Sequence, residues 1–126
     1  MALVLDAGAL FAAEHRDDVV VRRLLNEADA SAERALTSAA VVAQVWRNGS
    51  RQAILARLLS SIEIWPLGDT IARRAGELLA ISRTRDVVDA HVALLAQHGD
   101  MVLTSDPGDI GRLLGSLGVA ASVIKV

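Results

Sequence analysis

Three aspartates stand where apolar chain meets a break or where no charge is expected. Asp6 ends the run Ala2-Leu3-Val4-Leu5 and precedes the small pair Ala7-Gly8. Asp106 follows a second apolar run, Met101-Val102-Leu103, and the polar pair Thr104-Ser105. Asp89 lies near the start of Val87-Val88-Asp89-Ala90-His91-Val92-Ala93-Leu94-Leu95-Ala96, a stretch that is apolar almost all round a helix. Open α/β sheets bind ligands in the crevice beyond the carboxyl ends of their strands, so acids delivered there point to a cation site. A carboxylate in apolar surroundings needs a partner, and no lysine stands near Asp89. Like charges a few ångströms apart repel by about 1 to 4 kcal/mol at effective dielectrics of ~80 to ~20, so a converging Asp6, Asp89 and Asp106 calls for a divalent ion. Removal of one of these charges, as in Asp6→Asn, is expected to stabilise the metal-free protein.

Each acid alone has an ordinary structural role. Asp106 and Asp86 suit the N-caps of the helices that follow them, and Asp6 suits an acceptor for the orphan amides of a following turn. Oxygen ligands without a His/Cys cluster favour Mg²⁺ or Mn²⁺ over zinc. His15, His91 and His98 have no zinc-site spacing. His91 lies two residues beyond Asp89, which sets the two side chains about 200° apart around a helix, so it reads as a core or rim histidine. Asp109, three beyond Asp106, either adds a carboxylate at the edge of the site or favours the helix dipole.

Short apolar runs alternate with helical periodicity along the chain, the pattern of an α/β sheet with helices on both faces. Strands are expected at Leu3 to Asp6, Ala35-Leu36, Ile62 to Trp65 near a sheet edge, Met101 to Thr104, and Ala121 to Val126. Between them, a polar stretch from about Arg16 to Glu33 carries Val20, Leu24 and Leu25 at helical spacing. Thr37-Ser38 reads as the N-cap of a helix through Val41, Val42, Val45 and a core Trp46, and Asn48-Gly49-Ser50 ends it and starts another. Ile71, Ala75, Leu78, Leu79 and Ser82 share one helical face. His98-Gly99 closes the Asp89 helix, and Pro107 opens one whose inner face is Ile110, Leu113, Leu114 and Leu117.

The chain of 126 residues is expected to form one domain over 1–126. It has no cysteine, no run long and apolar enough for a bilayer and no basic leader, which reads as soluble and cytoplasmic with no membrane partner. A net charge of −2 excludes a protein that coats nucleic acid non-specifically. The aromatics are Phe11, Trp46 and Trp65, too few for a base-stacking platform. Arg47, Arg51 and Arg57 fall in a stretch without acids, either a solvated helix face or a grip for phosphate.

Four segments now form a pattern: Leu3-Val4-Leu5-Asp6-Ala7-Gly8-Ala9-Leu10, Thr37 to Arg47, Asp86-Val87-Val88-Asp89-Ala90-His91, and Leu103-Thr104-Ser105-Asp106-Pro107-Gly108-Asp109. None is specific alone. In order and separation they resemble the PIN-domain nucleases, and specifically the VapC-type toxins of toxin-antitoxin pairs, over essentially the whole chain. The resemblance implies a three-layer α/β/α sandwich with a central, mainly parallel sheet. It also implies a homodimer, and a Mg²⁺- or Mn²⁺-dependent endoribonuclease held inactive by a VapB-type antitoxin. Carried over residue by residue, Asp6, Asp89 and Asp106 would be metal ligands, and Thr104 would orient water or a carboxylate. Asp86 and Asp109 are secondary candidates, as is Ser38, which either aligns Gln44 or caps the helix. Arg47 is the arginine chosen first for contact with RNA phosphate. An antitoxin arginine entering the acidic crevice would displace the metal.

The departure is Gln44. Most of the family carries glutamate there, whereas glutamine offers only a neutral carbonyl oxygen. Metal affinity is weakened on that account and a second ion is in doubt; Glu14 replaces the charge only if the first helix folds over the site. The competing reading is a catalytically impaired PIN fold that binds RNA or an antitoxin-like partner without cleavage.

Overall fold

The computed structural model describes residues 1–15 and 19–126. Strands β1 (Leu3–Leu5), β2 (Ala35–Ser38), β3 (Glu63–Trp65), β4 (Met101–Thr104) and β5 (Ser122–Lys125) form one sheet in the order β3-β2-β1-β4-β5. All of its neighbouring pairs are parallel. The helices are α1 (Ala7–His15), α2 (Val19–Ala30), α3 (Ala39–Val45), α4 (Ala53–Ser60), α5 (Asp69–Ser82), α6 (Val87–Leu95) and α7 (Pro107–Leu117). Right-handed crossovers put α1 to α4 on one face and, because the strand order reverses after β3, α5 to α7 on the other. The result is a three-layer α/β/α sandwich, with α6 resting on β2 and β1 and α1 on β1 and β4.

Strand position explains strand sequence. Leu3, Val4 and Leu5 are 1%, 0% and 0% exposed, because β1 is central and covered on both faces. Each such side chain contributes about 1.5–3 kcal/mol of burial. All of β3 is exposed at the sheet edge, where Arg34 donates to both carboxylate oxygens of Glu63 at 2.6 and 3.1 Å. The inner face of α7 is as the periodicity predicts: Ile110, Leu113 and Leu114 are buried and Leu117 half-buried.

Several expectations shift. β1 ends at Leu5, which leaves Asp6 as the first residue beyond it. β2 runs on through Thr37 and Ser38, so Thr37 is a strand residue whose hydroxyl donates to the Leu5 carbonyl at 2.6 Å, and Ser38 alone caps α3. In α2 the buried position belongs to Val21 and not to Val20, since the helix turns its inner stripe one residue on; Arg16 lies outside the described residues. Trp46 is 38% exposed and not core, because α3 stops at Val45 and the ring lies over Gly49 instead of the sheet. The helix expected to end at His98-Gly99 ends at Leu95, and His98 Nδ1 accepts from the Ala120 amide at 3.0 Å.

Candidate metal centre

The reversal of strand order falls between β1 and β4, where crossovers leave in opposite directions and open a crevice at the strand ends. Asp6 and Thr104 occupy that point. Asp6 continues the ladder, its amide donating to the Leu103 carbonyl at 3.0 Å, and its side chain is 5% exposed. One carboxylate oxygen accepts from the Ala7 amide at 2.7 Å and the other from the Thr104 hydroxyl at 2.7 Å. Thr104 Oγ1 in turn accepts from the Asp106 amide at 3.0 Å. Thr104 thus ties the Asp6 carboxylate to the backbone that carries Asp106.

Gly8 sets how closely the two loops approach. A Cβ built there would sit 2.7 Å from both Cβ and Oγ of Ser105, a contact only glycine avoids. The small-residue break after Asp6 therefore has a packing reason.

Two helix starts bring in the other acids. Asp86 caps α6, accepting from the Val88 and Asp89 amides at 2.9 and 3.0 Å, so it holds the turn that presents Asp89. Asp106 caps α7, accepting from the Asp109 amide at 3.4 Å, and Pro107 occupies the first helical turn. Caps and site coincide: the bonds that start each helix also aim its acid. Carboxylate oxygens of Asp89, Asp106 and Asp109 lie within 4.8 Å of one another. Asp89 is 9% exposed, and among the described residues no donor reaches its carboxylate. Burial, followed by the charges of Asp86, Asp6, Asp106 and Asp109, pushes its pKa up to about 7.

The secondary residues divide. Asp109 joins the tight group of three, whereas Asp6 stands beside that group, near enough for its charge to raise the Asp89 pKa. Sequence reasoning ranked these two the other way, because an i+3 spacing shows that Asp109 follows Asp106 and not how near their oxygens fall. Ser38 caps α3 through the Ala40 amide and lies 2.5 Å from Nδ1 of His91. His91 is the core histidine expected, 1% exposed, and burial holds its pKa below the usual value. Gln44 is exposed on α3 and lines an open cleft of about 610 Å³ with Phe11, Gly8, Ser105 and Val126. Glu14 is not among the closely grouped carboxylates, and its Oε1 accepts from Gln52 Nε2 at 3.0 Å. Arg47 spends Nη1 on the carbonyls of Ala43 and Trp46 at the end of α3, 2.8 and 2.7 Å away.

These oxygens fit a hard divalent cation: they are closely grouped, and among the described residues no donor reaches the Asp89 carboxylate.

No curated protein sequence matches the chain. A crystal structure of VapBC2 from Rickettsia felis, bound to a DNA fragment from their promoter, shares the fold with a TM-score of 0.73 at 15% identity, over 99% of this chain and 100% of that one. The PIN domain profile matches residues 3–112, covering β1 through most of α7 and every acid described above. With that match, the chain belongs to the PIN-domain family.

Proposed function

We propose that this chain is the toxin of a VapBC-type pair, a Mg²⁺- or Mn²⁺-dependent endoribonuclease acting in the cytoplasm. The observation that carries the reading is the convergence of Asp89, Asp106 and Asp109, with Asp6 beside them, in the crevice at the strand reversal. Asp6, Asp89, Asp106 and Asp109 would hold the ion, which when bound lowers the pKa of the attacking water and offsets charge on the scissile phosphate. The chain's own part is positional. Thr104 fixes the rotamer of Asp6, and Asp86 holds the first turn of α6 so that Asp89 faces the crevice. Gln44 on α3 would serve as a neutral ligand or water contact, and Arg47, two residues beyond the end of α3, would offer its remaining guanidinium donors to phosphate.

Asp89 holds its proton up to about pH 7 in the metal-free protein, so uptake of a cation releases a proton and strengthens as pH rises. The structure similar in fold is of VapBC2, which supports a VapB-type partner here. The 57%-exposed Phe11, beside the cleft that runs from Gln44 to Gly8, offers apolar surface to such a partner while a basic side chain enters the acids. A homodimer belongs to the same proposal.

The deciding experiment is cleavage of a mixed RNA substrate in Mn²⁺ by the wild type and by Asp89→Asn and Asp106→Asn. Cleavage by the wild type, reduced at least about 100-fold in each variant, is expected, since each loses a charge that balances the ion. A second reading, RNA or antitoxin binding without cleavage, is favoured by the neutral Gln44. Wild-type protein that binds Mn²⁺ and RNA but leaves the RNA intact would select it, and Gln44→Glu should then restore cleavage.

A further inference from the structure

A second pocket, of about 470 Å³, opens on the α5–α7 face of the sheet, between the β3 edge, the start of α5 and the far end of α6. None of the acids of the metal centre lines it. Its walls are apolar and partly aromatic, with Leu36, Ile71 and Leu94 behind the half-exposed indole of Trp65. That volume falls in the range of small-molecule sites.

The polar groups around this pocket are unevenly used. Of its acids, Asp100 accepts from the Ala2 and Gln97 amides at 2.8 Å each, and Asp69, in the first turn of α5, turns one oxygen to Arg73 at 3.0 Å. Several donors around it are uncommitted. Gly68 caps α5 without a side chain, so among the described residues the first amides of this 14-residue helix have no partner. Arg74 makes no ion pair there either.

The fourth element is independent of the helix. His91 is 1% exposed, lines the pocket, and has a protein partner only at Nδ1 among the described residues. Ser38 Oγ accepts from the Ala40 amide and shares a hydrogen bond with His91 Nδ1. With the Ser38 hydrogen directed at Nδ1, Nε2 carries the ring hydrogen, and a protonated ring carries one there too. Among the described residues, a buried histidine bonded only at Nδ1, helix amides without a side-chain cap and an arginine outside any ion pair border one largely apolar space.

We propose that this pocket binds a small organic anion with a flat apolar body, of the size of a nucleoside 5′-monophosphate or an aryl carboxylate. The anionic group takes the α5 amides, Arg74 and the Nε2 hydrogen, and the body packs on Trp65 and the leucines.

Trp65 is the reporter once Trp46→Phe removes the other tryptophan. In that background, with EDTA present, adenosine 5′-monophosphate, phenylacetate and inorganic phosphate are titrated against Trp65 emission. Saturable binding at about 1 mM or tighter is expected for one of the two organic anions, and the tighter identifies the headgroup. Inorganic phosphate should bind at least about tenfold more weakly, since it lacks the body. Arg74→Ala and His91→Gln should each weaken the better ligand about tenfold, and Asp6→Asn should leave it unchanged. If His91→Gln does not fold, the exposed Arg74→Ala decides alone. The proposal fails if neither organic anion saturates by about 10 mM or inorganic phosphate binds as tightly. It fails equally if Arg74→Ala has no effect, or if Asp6→Asn abolishes binding.

Discussion

Two aspartates of nearly equal burial sit at opposite ends of the same sheet, Asp100 at 7% exposure and Asp89 at 9%. At the amino end of β4, each carboxylate oxygen of Asp100 accepts from a backbone amide, one of them from Ala2, 98 residues away. At the carboxyl end, Asp89 has four other acids around it and, among the described residues, no donor to its carboxylate. The fold satisfies one buried charge completely and leaves the other open. Burying a charge costs stability unless it is paired, so the difference separates a carboxylate that holds the structure from one kept for a ligand.

The sharpest way to break this contrast is Asp100→Ala. It leaves one buried and one partly buried amide unpaired at the start of the sheet and should cost about 2–4 kcal/mol in chemical denaturation, without altering the stability gained from Mn²⁺. A cost below about 0.5 kcal/mol would mean that water replaces the carboxylate freely and that the two acids are not different in kind.

The crevice should instead depend on packing. Gly8→Ala forces α1 away from Ser105, whose short side chain cannot move aside, and should cost about 1–3 kcal/mol. Metal response should fall with it, because the same contact holds the Asp6 and Asp106 loops together. A variant as stable and as metal-responsive as the wild type would show that the two loops approach without this contact.

Asp89→Asn tests the other half. It removes a repelling charge and loses no protein hydrogen bond, so in EDTA at pH 8 it should stabilise the protein by about 1–2 kcal/mol after allowance for screening in an open crevice. Asp6→Asn was the stabilising change expected from sequence. The structure moves that expectation to Asp89, because both Asp6 oxygens accept hydrogen bonds and an amide can satisfy only one of them. The pH dependence has a definite sign. Asp89 titrates near 3.8 when unfolded and at about 7 when folded, so the folded state binds more protons between those values. The metal-free wild type should therefore lose stability as pH rises from about 4 to about 7 and lose no more from this group above that, whereas Asp89→Asn should lack the slope. Parallel curves for the two proteins would remove Asp89 from the account.

Much of this was legible because the signals were local. A central parallel strand is buried on both faces, so Leu3-Val4-Leu5 announces itself, and Asp86 and Asp106 cap their helices as their positions suggest. Trp46 and Val20 were misplaced because an apolar residue at a helix end or at the margin of a stripe has no periodicity to orient it. Asp100 gave no signal at all, since its partner amides meet only when β1 and β4 pair. Nothing in the spacing of Asp106 and Asp109 could rank Asp109 above Asp6, which is a matter of oxygen positions within a few ångströms.

The smallest predicted effect is the most discriminating for Asp86, which is both the cap of α6 and the like charge that acts most on Asp89. Serine keeps the cap and removes the charge; alanine removes both. Asp86→Ala should cost about 1 kcal/mol through the lost cap, partly offset by relief of repulsion. Asp86→Ser should fall within about 0.5 kcal/mol of the wild type at pH 5, where Asp89 is protonated, and should be the more stable of the two at pH 8, where Asp89 is charged. The pH window over which stability is lost should also move down, because one of the charges raising the Asp89 pKa is gone. If Asp86→Ser lowers stability equally at both pH values, Asp86 acts through its hydrogen bonds alone, and the pressure on Asp89 comes from burial and from the acids across the crevice.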